Sequence, residues 1–482
     1  MRRVIVLLQL LIPCGLLACL ASSLNAEPPN IVLVMADDQG WGDMAYNGHP
    51  VIKTPNFDAA AATGLRFDRF YAAAPVCSPT RASVMTGRHP NRIGVFKWGY
   101  PIRPQEVTIA EALKTRGYAT GHFGKWHLGS VRRNSPVHPG ANGFDTWLSA
   151  PNFYDNNATL SREGTAVKLK GESSALAVDA ALDWMKQQVA AQKPFLSVVW
   201  FGSPHLPHEA AEEDRLLYAD QPKALQNFYG EITGMDRAFG RLRDSLTELG
   251  IRENTILWYC SDNGALPKVG STGGHRGFKG AVYEGGLLVP AILEWPARIK
   301  EPRITNVRCN TCDIYPTLLE IVGGTVDNQP PLDGISLVGL ISNDMQTRPK
   351  SMGFWDYNIK GIGTPSEKWM TELYAAQQAG GDLDANEESL NAAKLPQPPY
   401  SLDAFPGHSA LISGDWKLHR VETKDKPVQW ELYKLSDDPQ EKHDLAAAQP
   451  KQVQTLQQEL DAWLKSVVHS LNGEDYADAA KR

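Results

Sequence analysis

Asn30–Ala36 (Asn-Ile-Val-Leu-Val-Met-Ala) is an unbroken apolar run that ends abruptly in Asp37-Asp38-Gln39-Gly40. A run with no polar alternation is the mark of a strand buried on both faces, and such strands belong to parallel sheets covered by helices. The pattern recurs three times. Residues 118–123 lead into Gly124-Lys125-Trp126-His127-Leu128-Gly129, residues 194–201 into Gly202-Ser203-Pro204-His205, and residues 255–260 into Ser261-Asp262-Asn263-Gly264. Helical patterns over 55–62, 108–116, 175–192 and 223–249 alternate with these runs. The alternation predicts an α/β fold, a mostly parallel sheet with helices on both faces. Ligands of such sheets sit outside the carboxyl ends of the strands. Asp37, Asp38, Lys125, His127, His205, Asp262 and Asn263 are therefore expected to converge there.

A second focus is 74–88, Ala-Pro-Val-Cys-Ser-Pro-Thr-Arg-Ala-Ser-Val-Met-Thr-Gly-Arg, which follows a strand-like stretch at 65–72. Ser78 is suited to cap a helix, Pro79 to open it and Gly87 to stop it. Cys77 is then expected at the mouth of a short helix, where free N–H groups favour an anion, with Arg81 one turn further on. Two readings of Cys77 follow: a low-pKa thiolate nucleophile, or a buried structural cysteine.

The remaining chemistry is ionic. Asp37, Asp38, Asp262 and Asn263 offer hard oxygen donors of the kind that hold Ca²⁺ or Mg²⁺. There is no HExxH and no pair of CxxC motifs, which argues against zinc. Arg81, Lys125, His127, His205 and Lys279 form a cationic set, Lys279 lying in the glycine-rich stretch Gly273-Gly274-His275-Arg276-Gly277-Phe278-Lys279-Gly280. Net charge is −6 with no basic block, which gives no support to nucleic-acid binding.

At the N-terminus, Arg2 and Arg3 precede an apolar run broken by Pro13 and Gly15, and Ala26 is a suitable cleavage point. Residues 1–26 read as a secretory signal, so the protein is expected to be secreted or periplasmic, without stable membrane insertion. A loose lipobox, Leu16-Leu17-Ala18-Cys19, adds lipid anchoring at Cys19 as an alternative. Four cysteines remain, too few for a disulfide scaffold; Cys309 and Cys312 are read as a local disulfide or two packed thiols. The chain divides into a catalytic domain over 27–350 and a C-terminal α+β subdomain over 351–482. In the latter, 352–406 reads as an irregular insertion at the pocket rim. Strands at 408–413, 416–422 and 429–435 follow it, and a terminal helix at 451–468 ends the subdomain.

Taken together, Asp-Asp-x-Gly, Cys-x-Pro-x-Arg, Gly-Lys-Trp-His-Leu-Gly, Pro-His, Ser-Asp-Asn-Gly and Arg-Gly-x-Lys-Gly with Tyr283-Glu284-Gly285-Gly286 resemble the type I, formylglycine-dependent sulfatases in spelling and in order. Gly414-Asp415-Trp416-Lys417-Leu418 and 431–439 resemble the tail of arylsulfatase-like and N-acetylgalactosamine-6-sulfatase-like members. One departure is Leu287-Leu288-Val289-Pro290, where the family often has an arginine. The resemblance implies an alkaline-phosphatase-like fold with a smaller C-terminal subdomain, and hydrolysis of sulfate monoesters, with a carbohydrate as the expected substrate. It implies conversion of Cys77 to formylglycine by a maturation enzyme, and a covalent sulfo-enzyme intermediate on its hydrate. Asp37, Asp38, Cys77, Asp262 and Asn263 are the implied Ca²⁺ ligands. Cys77, Arg81, Lys125, His127, His205 and Lys279 are the implied catalytic set. Two alternatives stand beside this: a phosphonate or phosphate monoester hydrolase, and a non-catalytic binder of sulfated glycans with Cys77 unmodified.

Overall fold

The protein is described by a computed structural model over residues 27–384, 399–423 and 426–476. The expected signal segment and Cys19 lie outside the described residues.

Eleven strands make the main sheet: β1 (Asn30–Ala36), β2 (Leu65–Tyr71), β3 (Ala119–Lys125), β4 (Thr146–Ala150), β5 (Thr159–Arg162), β6 (Thr165–Lys168), β7 (Phe195–Trp200), β8 (Thr255–Ser261), β9 (Leu288–Glu294), β10 (Arg303–Thr305) and β11 (Cys309–Asn310). Their order is β10-β2-β9-β8-β1-β7-β3-β4-β5-β6, with β11 also on β2. The central ladder β8-β1-β7-β3-β4 is parallel. β9 runs antiparallel between β8 and β2, and β5 and β6 close the other edge antiparallel.

Side-chain alternation along β1 explains why a uniformly apolar strand sits at the centre. Ile31, Leu33 and Met35 enter one core, with Val84, Ile109 and Ile314 from the helices Cys77–Thr86, Ile109–Lys114 and Ile314–Ile321. Val32, Val34 and Ala36 enter the opposite core, against Phe57, Ala181 and Phe239 from Pro55–Thr63, Ser173–Ala190 and Lys223–Glu248. The fold is the expected mixed, mostly parallel sheet sandwiched by helices.

A second, antiparallel sheet has the order β12 (Met352–Tyr357), β13 (Gly407–Ser413), β14 (Trp416–Val421) and β15 (Gln429–Lys434). One face packs on Tyr71, Val282 and Leu288 of the main body. The other is covered by the helix Pro450–Leu471 through Leu456, Leu460, Leu464 and Val467. At the position where the family spelling often has arginine, Leu288 fills this apolar seam.

The expectation of an irregular 352–406 is corrected. β12 opens that segment as a full strand paired with β13, and Ser366–Gln378 is a helix whose Met370 and Leu373 enter the main core. The masking factor is composition: Gly361, Gly363 and Pro365 between two regular elements gave the stretch an irregular look. Cys309 and Cys312 are free buried thiols, so the packed-thiol reading holds.

Candidate active site

Because β8, β1, β7 and β3 are consecutive neighbours, the four polar strand ends lie side by side. Two turns there are left-handed at residues with side chains: φ is 72° at Asp38 and 51° at His127. Such conformations cost on the order of 1 kcal/mol or more and persist where the surroundings enforce them. Here the Asp38 N–H donates to Asp262 Oδ1 at 3.0 Å, tying the end of β1 to that of β8.

The helix Cys77–Thr86 runs into this cluster, and all ten of its residues are buried. It starts two residues earlier than the Ser78 cap predicts. Val76 is the N-cap and Cys77 the first helical residue, while Ser78 Oγ instead accepts the Gly99 N–H at 2.9 Å. Gly87 ends the helix as expected, at φ 70°. Burial pushes the Cys77 thiol up to about 12 even though Lys125 and Lys279 pull the other way. The low-pKa thiolate reading is therefore corrected: desolvation outweighs the helix N-terminus, and unmodified Cys77 is a neutral thiol.

Arg81, wholly buried, donates from Nη2 to Asp262 Oδ2 at 2.7 Å and from Nη1 to the Lys125 carbonyl at 3.2 Å, with its guanidinium over Trp200. Lys125 Nζ donates to Asp37 Oδ2 at 2.6 Å, and Lys279 Nζ reaches both Asp38 oxygens at 2.6 and 2.7 Å. His205 stacks on Phe153, donates from Nδ1 to the Leu206 carbonyl at 2.5 Å, and leaves Nε2 3.6 Å from Asp38 Oδ2. Burial, reinforced by Lys125 and Lys279 and resisted by Asp38, holds His205 down at about 3. His127 is buried and held well below the usual imidazole range, chiefly by burial and then by Lys125 and Arg81. Both rings are neutral at neutral pH.

The donor set fits a hard cation. Ligand atoms of Asp37, Asp38, Cys77 and His205 lie within 4.8 Å of one another. Asp37 Oδ1 and Asn263 Oδ1 are buried with no hydrogen-bond partner, each a lone pair turned away from water. Burial pushes Asp37 up to about 8 against the pull of Lys125, with Asp262 and Asp38 adding to the rise; the pocket favours more positive charge. Of the expected ligands, Asp262 is engaged by Arg81 and by the Asp38 N–H. Asn263 donates from Nδ2 to Asp38 Oδ1 at 2.9 Å, leaving its carbonyl oxygen free. A thiol is a poor partner for a hard ion, whereas an oxygen at the Cys77 position would complete an oxygen-rich set.

The glycine-rich loop delivers only Lys279 to the site. His275 Nδ1 bonds the Pro439 carbonyl at 2.7 Å, and Arg276 Nη1 bonds Glu431 Oε2 at 3.0 Å and Tyr433 at 2.7 Å while lying over the Tyr283 ring. These two residues moor the loop to the second sheet. Residues that the sequence motifs do not single out are Asn152, Phe153 and Thr364. The last bonds His127 Nε2 at 3.1 Å. Beyond Phe153 opens a cavity of about 490 Å³ lined by Asp155, Asn156, Glu209, Glu367 and Lys368.

Carboxylates and cations gathered at the carboxyl ends of a parallel sheet, with a second antiparallel sheet behind, define an alkaline-phosphatase-like hydrolase. Residues 29–324 match the family described as Sulfatase, and the chain belongs to that family. It is 34% identical over 366 residues to the N-acetylgalactosamine-6-sulfatase of Canis lupus familiaris, covering 67% of this chain and 68% of the relative. It is 32% identical over 452 residues to the arylsulfatase A of Homo sapiens, covering 83% and 87%. Among solved structures, Ps i-CgsB in complex with k-i-k-neocarrahexaose superposes with a TM-score of 0.76 at 24% identity, over 91% of this chain and 93% of that one. The protein is a sulfatase-class enzyme.

Proposed function

We propose that the protein hydrolyses sulfate monoesters of a carbohydrate, with Cys77 oxidised to formylglycine and a Ca²⁺ held by Asp37, Asp38, Asp262 and Asn263. The observation that carries this reading is the placement of Cys77 among Asp37, Asp38 and His205, within reach of one ion. The ion would offset negative charge and the formylglycine hydrate would supply the nucleophile. Arg81 and Lys125 fix the site's charge before substrate arrives, so no reorganisation is needed as charge develops. Lys279 would supply the proton for the departing oxygen. Its ammonium is held well above the usual range, with burial opposing and Asp38 favouring the charge. His205 presents an uncharged face to the sulfate, and His127 takes up a proton as base.

The cavity beyond Phe153 is the place for the sugar, and residues 365–371 form part of its wall. In this reading 352–406 takes the pocket-rim role expected of it. Three carboxylates against one lysine suit hydroxyl- or amine-bearing sugars better than a second sulfate. No helix among the described residues is long and apolar enough to cross a membrane.

The test has two parts. Mass spectrometry of the Cys77 peptide from the native host is expected to give the mass of formylglycine. That protein is expected to release sulfate from monosulfated sugars, and to lose activity in chelator and in Cys77→Ala. Faster release of phosphate or phosphonate would favour the second hydrolase reading. An unmodified Cys77 that binds sulfated glycan without turnover would favour the binder.

A further inference from the structure

Thr364 lies between β12 and the helix Ser366–Gln378, 237 residues from His127 in sequence, yet its hydroxyl is the hydrogen-bond partner of His127 Nε2. Asn152, two residues after β4, holds that threonine by a fork: one Nδ2 donates to Thr364 Oγ1 at 2.8 Å and to its carbonyl at 3.1 Å. The other ring nitrogen, His127 Nδ1, is buried and has no hydrogen-bond partner among the described residues. The ring is thus anchored through one nitrogen and bare at the other.

A neutral imidazole takes a proton only at the nitrogen that carries the lone pair, and the partner of the opposite nitrogen decides which one that is. A threonine hydroxyl has two acceptor lone pairs. One receives the Asn152 amide hydrogen, and the second is open to an Nε2–H of His127; the reverse arrangement, with the hydroxyl donating to Nε2, would leave an N–H buried without a partner at Nδ1. We propose that Thr364, oriented by Asn152, is a positioning residue that fixes His127 as its Nε2–H tautomer and leaves Nδ1 as the base. This rests on the sulfatase reading for the role of His127, and it makes a loop from the second sheet part of the base's geometry.

The experiment uses protein carrying ¹⁵N-labelled histidine, with the His127 signals assigned through His127→Gln. In the wild type the Nε2 resonance is expected in the protonated range and Nδ1 in the bare range. Thr364→Val and Asn152→Ala are expected to shift the pair toward a mixture of tautomers, whereas Thr364→Ser keeps it. In sulfate release, Thr364→Val is expected to lower kcat by roughly 10- to 100-fold with KM within about twofold, and Thr364→Ser to restore it. A wild type with Nε2 bare, or nitrogen shifts that do not move in Asn152→Ala or in Thr364→Val, would overturn the proposal whatever the activity. A wild type that releases no sulfate would instead sink the sulfatase reading, and the nitrogen shifts would still decide the tautomer.

Discussion

Lys125 Nζ donates to Asp37 Oδ2 at 2.6 Å across the strand that separates β3 from β1, and neither side chain has any solvent exposure. Breaking a buried pair by removing one partner costs about 3–5 kcal/mol, because the other charge is stranded. A divalent ion at Asp37 would restore the missing positive charge. Lys125→Met is therefore expected to lower Tm in chelator, and calcium to recover more of it than calcium adds to the wild type. Equal calcium gains in calorimetry would remove Asp37 from the ion site.

His205 and Lys279, proposed above to face the departing oxygen, differ in what they offer. His205 donates its Nδ1 hydrogen to the Leu206 carbonyl and is neutral, so the mobile proton sits on Lys279. Proton donation matters most when the leaving alcohol is a poor one. Lys279→Met is expected to lose at least about tenfold more on a sugar sulfate than on 4-nitrophenyl sulfate, while His205→Asn loses similar factors on both. The reverse pattern in paired kcat/KM values would exchange the roles.

Glu231 is a buried carboxylate displaced toward neutral pH. Burial pushes it up to about 7, although His208 Nδ1 at 3.2 Å and the Glu209 N–H draw it down. Its folded value is above the ordinary 4.5, so between these two the folded state holds a proton that the unfolded chain has released. The contribution to stability is full below the unfolded value and is lost as pH rises through about 7. Glu231→Gln is expected to flatten the fall in denaturation midpoint between about pH 5 and about pH 8. An unchanged slope would place the titration elsewhere.

The two sheets are joined by a buried ionic knot. Lys417 Nζ of β14 lies 2.8 Å from Glu284 and 3.0 Å from Glu441, and Glu441 also accepts from the Glu284 N–H at 2.7 Å and faces His419 Nε2 at 2.8 Å. Lys417→Met strands two carboxylates, and the expected loss is about 3–5 kcal/mol in chemical denaturation. A loss below about 1 kcal/mol would show that apolar packing alone joins the sheets.

If the cavity beyond Phe153 takes the sugar, as proposed, its charge sets selectivity. Asp155 is raised to about 6, first by burial and then by Glu209 and Glu367. Glu367→Lys is expected to improve kcat/KM on a disulfated sugar relative to its monosulfated form, by roughly three- to tenfold for one reversed charge at partial exposure. A ratio that does not move would place the sugar outside this cavity.

The site was largely legible because buried parallel strands are uniformly apolar and their ends turn sharply to charge. Asp37, Lys125, His205 and Asp262 stand out against such runs without any alignment. Elements with weaker contrast were not visible. β9 carries Pro290 mid-strand, just where its ladder with β8 stops at Ala291. The helix Ser366–Gln378 was hidden because few of its residues are buried. Asn152 and Thr364 had no local signal, since their roles lie in a contact between segments 212 residues apart. His275 and Arg276 show the opposite failure: residue types suited to a site, drawn instead to Pro439 and Glu431.

Arg81 and Asp262 are in direct contact yet 181 residues apart in the chain. At about 5–20 residues per second, roughly 10–40 s of synthesis separate them. During that interval the stretch around Cys77 has been made, but β8, the strand that leads into Asp262, does not yet exist. Cys77 is 2% exposed in the finished protein. Any reagent or enzyme that must reach its sulfur has its best opportunity on the nascent chain, before the last central strand closes over it.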